Sequence, residues 1–200
     1  DNRTRVYTMF HHNDAIWIGS DTGLFMLDLS GAGQHMHYHP EFGNADTRIT
    51  ELLVDRLDQV WLQTDAGLYC FSPEDNKFQR LLTHGGTAHS LAIDPVEPII
   101  EAGDGFIWHG SYGDGIFKID PETLSYNHYL HNPADRESLS ENSINCIFED
   151  RSGSLWFGTF GAGISILDPM ANRFTLFKSN PFNPNSLASS FIWTIFETSD

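Results

Sequence analysis

Apolar residues in this chain fall in short consecutive runs, bounded by clusters of Gly, Asp, Asn, Ser and Pro. No stretch sustains a 3.6-residue apolar period with caps at its ends, so the pattern predicts short strands and few helices. The clearest stretch lies in the last third. Residues 144–148 are a β-rich run, and Glu149-Asp150-Arg151-Ser152-Gly153 is a tight turn in which Gly153 can take positive φ. Residues 155–158 make a second strand, Phe160-Gly161-Ala162-Gly163 turns the chain back, and 164–167 make a third. Asp168-Pro169-Met170-Ala171-Asn172 is a loop opened by a proline that cannot continue a ladder, and 174–177 make a fourth strand.

This unit repeats. Ala15-Ile16-Trp17-Ile18-Gly19-Ser20, Gln59-Val60-Trp61-Leu62-Gln63-Thr64, Phe106-Ile107-Trp108-His109-Gly110-Ser111 and Ser154-Leu155-Trp156-Phe157-Gly158-Thr159 align on tryptophans 44, 47 and 48 residues apart. Each is followed by a glycine and another apolar run, starting at Gly23, Gly67, Gly115 and Gly163. Four short antiparallel strands in about 45 residues, repeated, are the sequence form of a β-propeller blade. A blade has two apolar faces that only a neighbouring blade can bury, which explains consecutive rather than alternating apolar positions. The four tryptophans read as inter-blade core, each burying about 150–250 Å², or roughly 4–6 kcal/mol gross before entropy.

The expected fold is therefore all-β, a β-propeller segment of four four-stranded antiparallel blades plus one leftover strand. The approximate blades are 5–39, 48–82, 96–130 and 143–178. Residues 186–197 repeat 138–149 at an offset of 48, so 191–197 reads as the first strand of a fifth blade. From that arithmetic a fragment with an open edge is expected, suited to association with another copy of itself. The alternative is a closed four-blade ring in which the leftover strand completes the first blade, although residues 6–10 already supply an inner strand there.

Composition narrows the function. The formal charge is −16, which removes a basic face for nucleic acid. Apolar residues at 40% and aromatics at 13% are too many for a disordered acidic tail. No apolar run is long enough to span a bilayer, so no membrane insertion is expected of this chain. Asp1 opens the chain with no basic-then-apolar leader, and any signal peptide is expected to have been removed. Cys70 and Cys146, on different strands of different blades, read as buried free thiols.

Residues 143–159, followed by Gly161-Ala162-Gly163-Ile164, Asp168-Pro169 and Arg173-Phe174, resemble the two-component regulator propeller repeat. Asn132-Pro133 through Asn142 and Asn180-Pro181 through Ser190 resemble that family's linkers between blades. Asp58 in place of the turn glycine, Pro98 at the first strand of the third copy and Gln63 in place of a glycine depart from the pattern. The resemblance implies an extracytoplasmic or periplasmic sensor module of a membrane-bound receptor, its output a hybrid histidine kinase or diguanylate cyclase carried elsewhere in the parent chain. It implies a ligand of oligosaccharide type, no cofactor and no catalytic residue in this chain. Two rivals stand beside it: a propeller lyase or hydrolase acting on a glycan or small molecule, and a protein-interaction scaffold.

Positions where one copy breaks the pattern are the candidate ligand-binding residues. His109 stands where the other copies have Ile18, Leu62 and Phe157. Asn145 and Trp193 share an inner-strand position expected beside the central channel. Tyr112 and Phe160 lie on the turns between second and third strands and suit stacking on a sugar ring. His35-Met36-His37-Tyr38-His39 puts three imidazoles on one side of a strand, but about 7 Å apart, too far to converge on a metal without help. The segment reads as an exposed outer strand, and no metal is assigned. Glu149-Asp150 reads as a turn cap rather than an acid–base pair. A hydrolytic triad can be neither assigned nor excluded by spacing.

Overall fold

The computed structural model describes residues 4–31, 35–38, 48–82, 97–168 and 173–198. His39, the loop at 169–172 and the expected blade bounds at 39 and 96 lie outside them. The chain divides into two compact units, Asp1–Ala88 and His89–Asp200. Among the described residues every regular element is a strand, and no helix is long and apolar enough to cross a membrane.

The first unit holds β1 (Val6–His12), β2 (Ala15–Ser20), β3 (Gly23–Asp28) and β4 (His35–Tyr38) in one antiparallel sheet, ordered as in the chain. Its second sheet is β5 (Ile49–Val54), β6 (Val60–Thr64), β7 (Gly67–Ser72) and β8 (Lys77–Leu82). The second unit repeats the arrangement. Its sheets are β9 (Ile99–Glu101), β10 (Ile107–Gly110), β11 (Ile116–Ile119) and β12 (Tyr126–Tyr129), then β13 (Ile144–Glu149), β14 (Leu155–Thr159), β15 (Ile164–Asp168) and β16 (Arg173–Phe177).

Within each unit the tryptophan of one sheet is buried by the next. Trp17 meets Phe71 edge-on at 6.3 Å in the first unit, and Trp108 lies 5.8 Å from Phe157 in the second. Trp61 is fully buried as well, but Trp156 is only half-buried, which departs from four equivalent core tryptophans. The cause is local. Trp156 shares a sheet face with Gly158, and that face meets the segment around Ile192 instead of a complete sheet.

Two residues after three of these tryptophans stands a glycine whose missing side chain is a socket. A Cβ on Gly19 would lie 2.6 Å from Cγ2 of Ile49, one on Gly110 2.6 Å from Cγ2 of Ile144, and one on Gly158 2.6 Å from Cγ2 of Ile192. The isoleucine opening each following repeat therefore seats against bare backbone.

A second device fixes two of the tryptophans. Trp61 donates its indole N–H to Oδ2 of Asp55 at 2.8 Å, and Trp156 donates to Oδ2 of Asp150 at 2.7 Å. The other oxygen of each aspartate accepts turn amides, from Leu57 and Gln59 in one copy and from Ser152 and Ser154 in the other. Burial opposes ionisation of Asp150, but hydrogen bonds from Ser152, Trp156 and Ser154 outweigh it and hold the carboxyl below its ordinary range. Asp150 is thus a turn cap. Asp58 takes φ +59°, the left-handed turn position that glycine fills in other copies. In the third copy Ala102 occupies the aspartate's place, and the buried indole nitrogen of Trp108 has no hydrogen-bond partner among the described residues.

Residues 191–197 form no ladder among the described residues. Phe191 makes an isolated antiparallel bridge to Phe160, and the Ile192 amide donates to the Thr159 carbonyl at 3.1 Å. On β4, the His37 ring stacks on Phe25 at 3.9 Å and donates Nε2–H to the Thr22 carbonyl at 3.1 Å, so this imidazole is engaged locally. Cys70 is buried and Cys146 half-buried, both free thiols.

Two stability measurements follow from the socket and the clamp. Gly110→Ala should lower the unfolding free energy of the full chain by about 1–3 kcal/mol in urea titrations, because the new methyl overlaps Ile144. Ala102→Asp should raise it by about 1 kcal/mol by giving the Trp108 N–H an acceptor. The turn has the same length as the other two, and Asp150 already tolerates a neighbouring carboxylate, since Glu197 accepts the Arg151 amide just as Glu149 accepts that of Gly103.

Candidate functional site

The turns joining second to third strands in the second unit are built alike. Ser111 donates its amide to the Gly115 carbonyl at 2.9 Å, and its hydroxyl accepts the Asp114 amide at 2.8 Å. Thr159 does the same with the Gly163 carbonyl at 3.0 Å and the Ala162 amide at 3.0 Å. Gly115 and Gly163 have φ of +77° and +88°, and a side chain on either would strike the carbonyl of Tyr129 or Phe177. Glycine is required there, which sharpens the turn and fixes the aromatic just after its start.

Each turn is then tied to the linker entering the next repeat. The amides of Gly113 and Gly115 donate to the Asn142 carbonyl, and that of Gly163 donates to the Ser190 carbonyl at 2.8 Å. Tyr112 bridges to Ser143, and Phe160 bridges to Phe191.

These ties assemble a row of aromatic rings. Phe160 is its centre, meeting Tyr112 edge-on at 5.6 Å, Phe191 at 5.2 Å and Trp193 at 6.4 Å. Tyr112 and Phe160 are half-buried, while Phe191 and Trp193 are 52% and 65% exposed. Asn145 is half-buried and donates Nδ2–H to the Ile192 carbonyl, between the two exposed rings in sequence. Four of the five candidate residues thus lie on or beside the row. Fixed rings with exposed faces and a neighbouring amide can stack on a ligand's flat apolar face while hydrogen-bonding its rim.

His109 is elsewhere. It is buried, with 3% of its side chain exposed, and its Nε2 lies 3.7 Å from Oε2 of Glu97, which is equally buried. Glu97 also accepts the Tyr112 amide at 3.0 Å. His109 therefore acts behind the row, packed where other copies carry an apolar residue.

The inner-strand position has its own geometry. The pairing of β5 with β6 and of β13 with β14 shifts register at Thr50 and Asn145, as that of β1 with β2 does at Tyr7. A bulge re-aims the side chain it carries. Glu97, Asn145 and Trp193 are spaced 48 residues apart, so the repeat varies at this point while a β-branched apolar residue, Val96, Ile144 or Ile192, precedes it each time. Glu97 was legible from that spacing but not singled out. Phe191 and Glu141 were also missed. Glu141 accepts the Ala162 amide at 3.1 Å, and a Cβ on Gly161 would lie 3.8 Å from its Oε2 and 3.7 Å from the Phe191 ring.

The shifted thiols point away from nucleophilic chemistry. Burial, with the Asp55 charge adding to it, pushes Cys70 up to about 12, and burial also raises Cys146. Both are held as thiols at neutral pH. Burial raises the Glu51 carboxyl in the first unit, where it accepts a hydrogen bond from Thr8.

Residues 138–161, the stretch that carries Glu141, Asn145 and Phe160, match the family model described as two component regulator propeller. This stretch is similar to the two-component regulator propeller repeat. No curated protein sequence matches the chain. Among solved structures it is similar to the extracellular domain of BT4673 from B. thetaiotaomicron, assigned to the one component systems, at 22% identity and a TM-score of 0.70. That match covers 98% of this chain and 25% of the other. The extracellular domain of BT3049 from the same organism, assigned to the hybrid two component systems, aligns at 20% identity and a TM-score of 0.70, covering 96% and 24%. PorZ, a surface component of the type-IX secretion system of Porphyromonas gingivalis, aligns at 14% identity and a TM-score of 0.62, covering 93% and 28%. The fold is that of a β-propeller segment, and the chain spans about a quarter of the length of the first two structures.

Proposed function

We propose that this two-component regulator propeller segment is a sensing module outside the cytoplasm, which binds a carbohydrate along the aromatic row and passes the event to an output domain elsewhere in its receptor. The observation that carries the reading is the row itself. Tyr112, Phe160, Phe191 and Trp193 come from three successive repeats, and Phe160 touches the other three rings. A sugar stacked there bridges successive repeats, so binding energy can shift how they seat on one another. The resemblance to extracellular domains of signalling systems supports the location, and the parent output would be a histidine kinase or diguanylate cyclase. The segment does no chemistry on its ligand in this reading. Its exposed edge beyond β16 and Trp193 serves the rest of the receptor or a second copy.

The test is titration of the chain with a panel of oligosaccharides, followed by tryptophan fluorescence and calorimetry. Saturable binding without turnover is expected. Trp193→Ala and Phe160→Ala should each weaken it about tenfold or more, equivalent to about 1.4 kcal/mol. Trp193 is exposed, so its loss leaves the fold intact. Unchanged affinity in both variants would remove the row from the site, and release of cleaved product would transfer the chain to the enzyme reading.

A further inference from the structure

Resting on the carbohydrate reading of the aromatic row, we infer that the site selects by charge: it accepts neutral or amino sugars and rejects uronic acids, and Glu141 is the residue that sets this preference. The Glu141 carboxylate and the Phe191 ring flank Gly161 from two sides, within 3.8 and 3.7 Å of the point where a side chain would begin. Gly161 has φ +143° and stands directly after Phe160, the centre of the row. A sugar stacked on the exposed Phe191 ring therefore has a carboxylate beside its rim.

That carboxylate is held in place. Its Oε2 accepts the Ala162 amide at 3.1 Å, which uses one of about four acceptor positions and leaves others for a ligand. Hydroxyl and ammonium groups can donate to them. A uronate has no proton to offer at its carboxylate and meets like charge instead. The second carboxylate nearby, Glu97, is buried, faces His109 and is taken up by the Tyr112 amide. Asp114 lies in the Tyr112 turn, and Glu141 is the carboxylate set beside Phe191 and the Phe160 turn. The net charge of −16 acts in the same direction at longer range, disfavouring the approach of anionic chains.

The repeat does not hold an acid at this position. The residue 48 positions after Glu141 is Ser189, whose hydroxyl accepts the Phe191 amide.

The experiment uses β-1,4-linked tetramers of glucose, glucosamine and glucuronate, titrated calorimetrically at low ionic strength into the full chain and its Glu141→Gln variant. Glutamine keeps an oxygen for the Ala162 amide. The parent chain should bind the glucose and glucosamine tetramers and bind the glucuronate tetramer about tenfold or more weakly. Glu141→Gln should close most of that gap by strengthening glucuronate binding and weakening glucosamine binding. Equal affinity for glucose and glucuronate tetramers in the parent chain, or an unchanged ratio in the variant, overturns the charge selection and leaves the carbohydrate reading standing. Absence of binding by all three tetramers overturns both.

Discussion

The structure depends on one packing constraint: a four-stranded sheet with two apolar faces cannot stand alone, and the next repeat must cover it. The constraint is met at two points in the junction between the two sheets of each unit. A tryptophan on the second strand lies against the neighbouring sheet, as Trp108 does beside Phe157, and the glycine two residues later receives the isoleucine that opens the next repeat. Both devices sit on one strand face, so a single short sequence, Trp-x-Gly, sets the approach of one sheet to the next. Where a complete neighbour is not present, at Trp156, the indole is half-buried, and Cys146 and Ile192 fill the socket at Gly158.

The candidate site is a consequence of the same junctions. Once the isoleucine is seated, the linker preceding it lies within hydrogen-bonding reach of the turn from the sheet before. Gly113, Gly115 and Gly163 donate across that gap, and the aromatics at 112 and 160 are carried onto the rim of the junction. Asn145 arrives from the inner strand, where the β13 pairing bulges, and Trp193 from the equivalent position one repeat on. A ligand held by these groups touches successive repeats at once. This is the physical basis for reading the row as a sensor rather than as surface variation.

Much of this was legible in the sequence because the repeat is nearly constant. Tryptophans 47 and 48 residues apart located the second strands, and Tyr112 and Phe160, also 48 apart, were recognisable as equivalent turn aromatics. Asp58 could be read as a left-handed turn residue because glycine fills the same place elsewhere. The rest depended on partners that spacing does not show. His109 breaks an apolar pattern, and the sequence could not reveal that buried Glu97 faces it. Glu141 and Phe191 lie 50 residues apart in linkers, and only the folded turn at Gly161 brings them to the same point. The absence of an acceptor for the Trp108 indole follows from Ala102, a substitution that means nothing until the Asp55 and Asp150 clamps are seen.

The most direct test of the central claim is native-state hydrogen exchange of the intact chain in increasing denaturant. The amides of Gly115 and Ile144 hydrogen-bond only across the junction between the third and fourth sheets, whereas those within β10 and β14 belong to the ladders. If each sheet stands only because the next covers it, junction and ladder amides open together, with one common free energy and one denaturant dependence. Junction amides that open at a distinctly lower free energy while the ladders stay protected would show that each sheet is stable by itself and that seating is not what holds the fold.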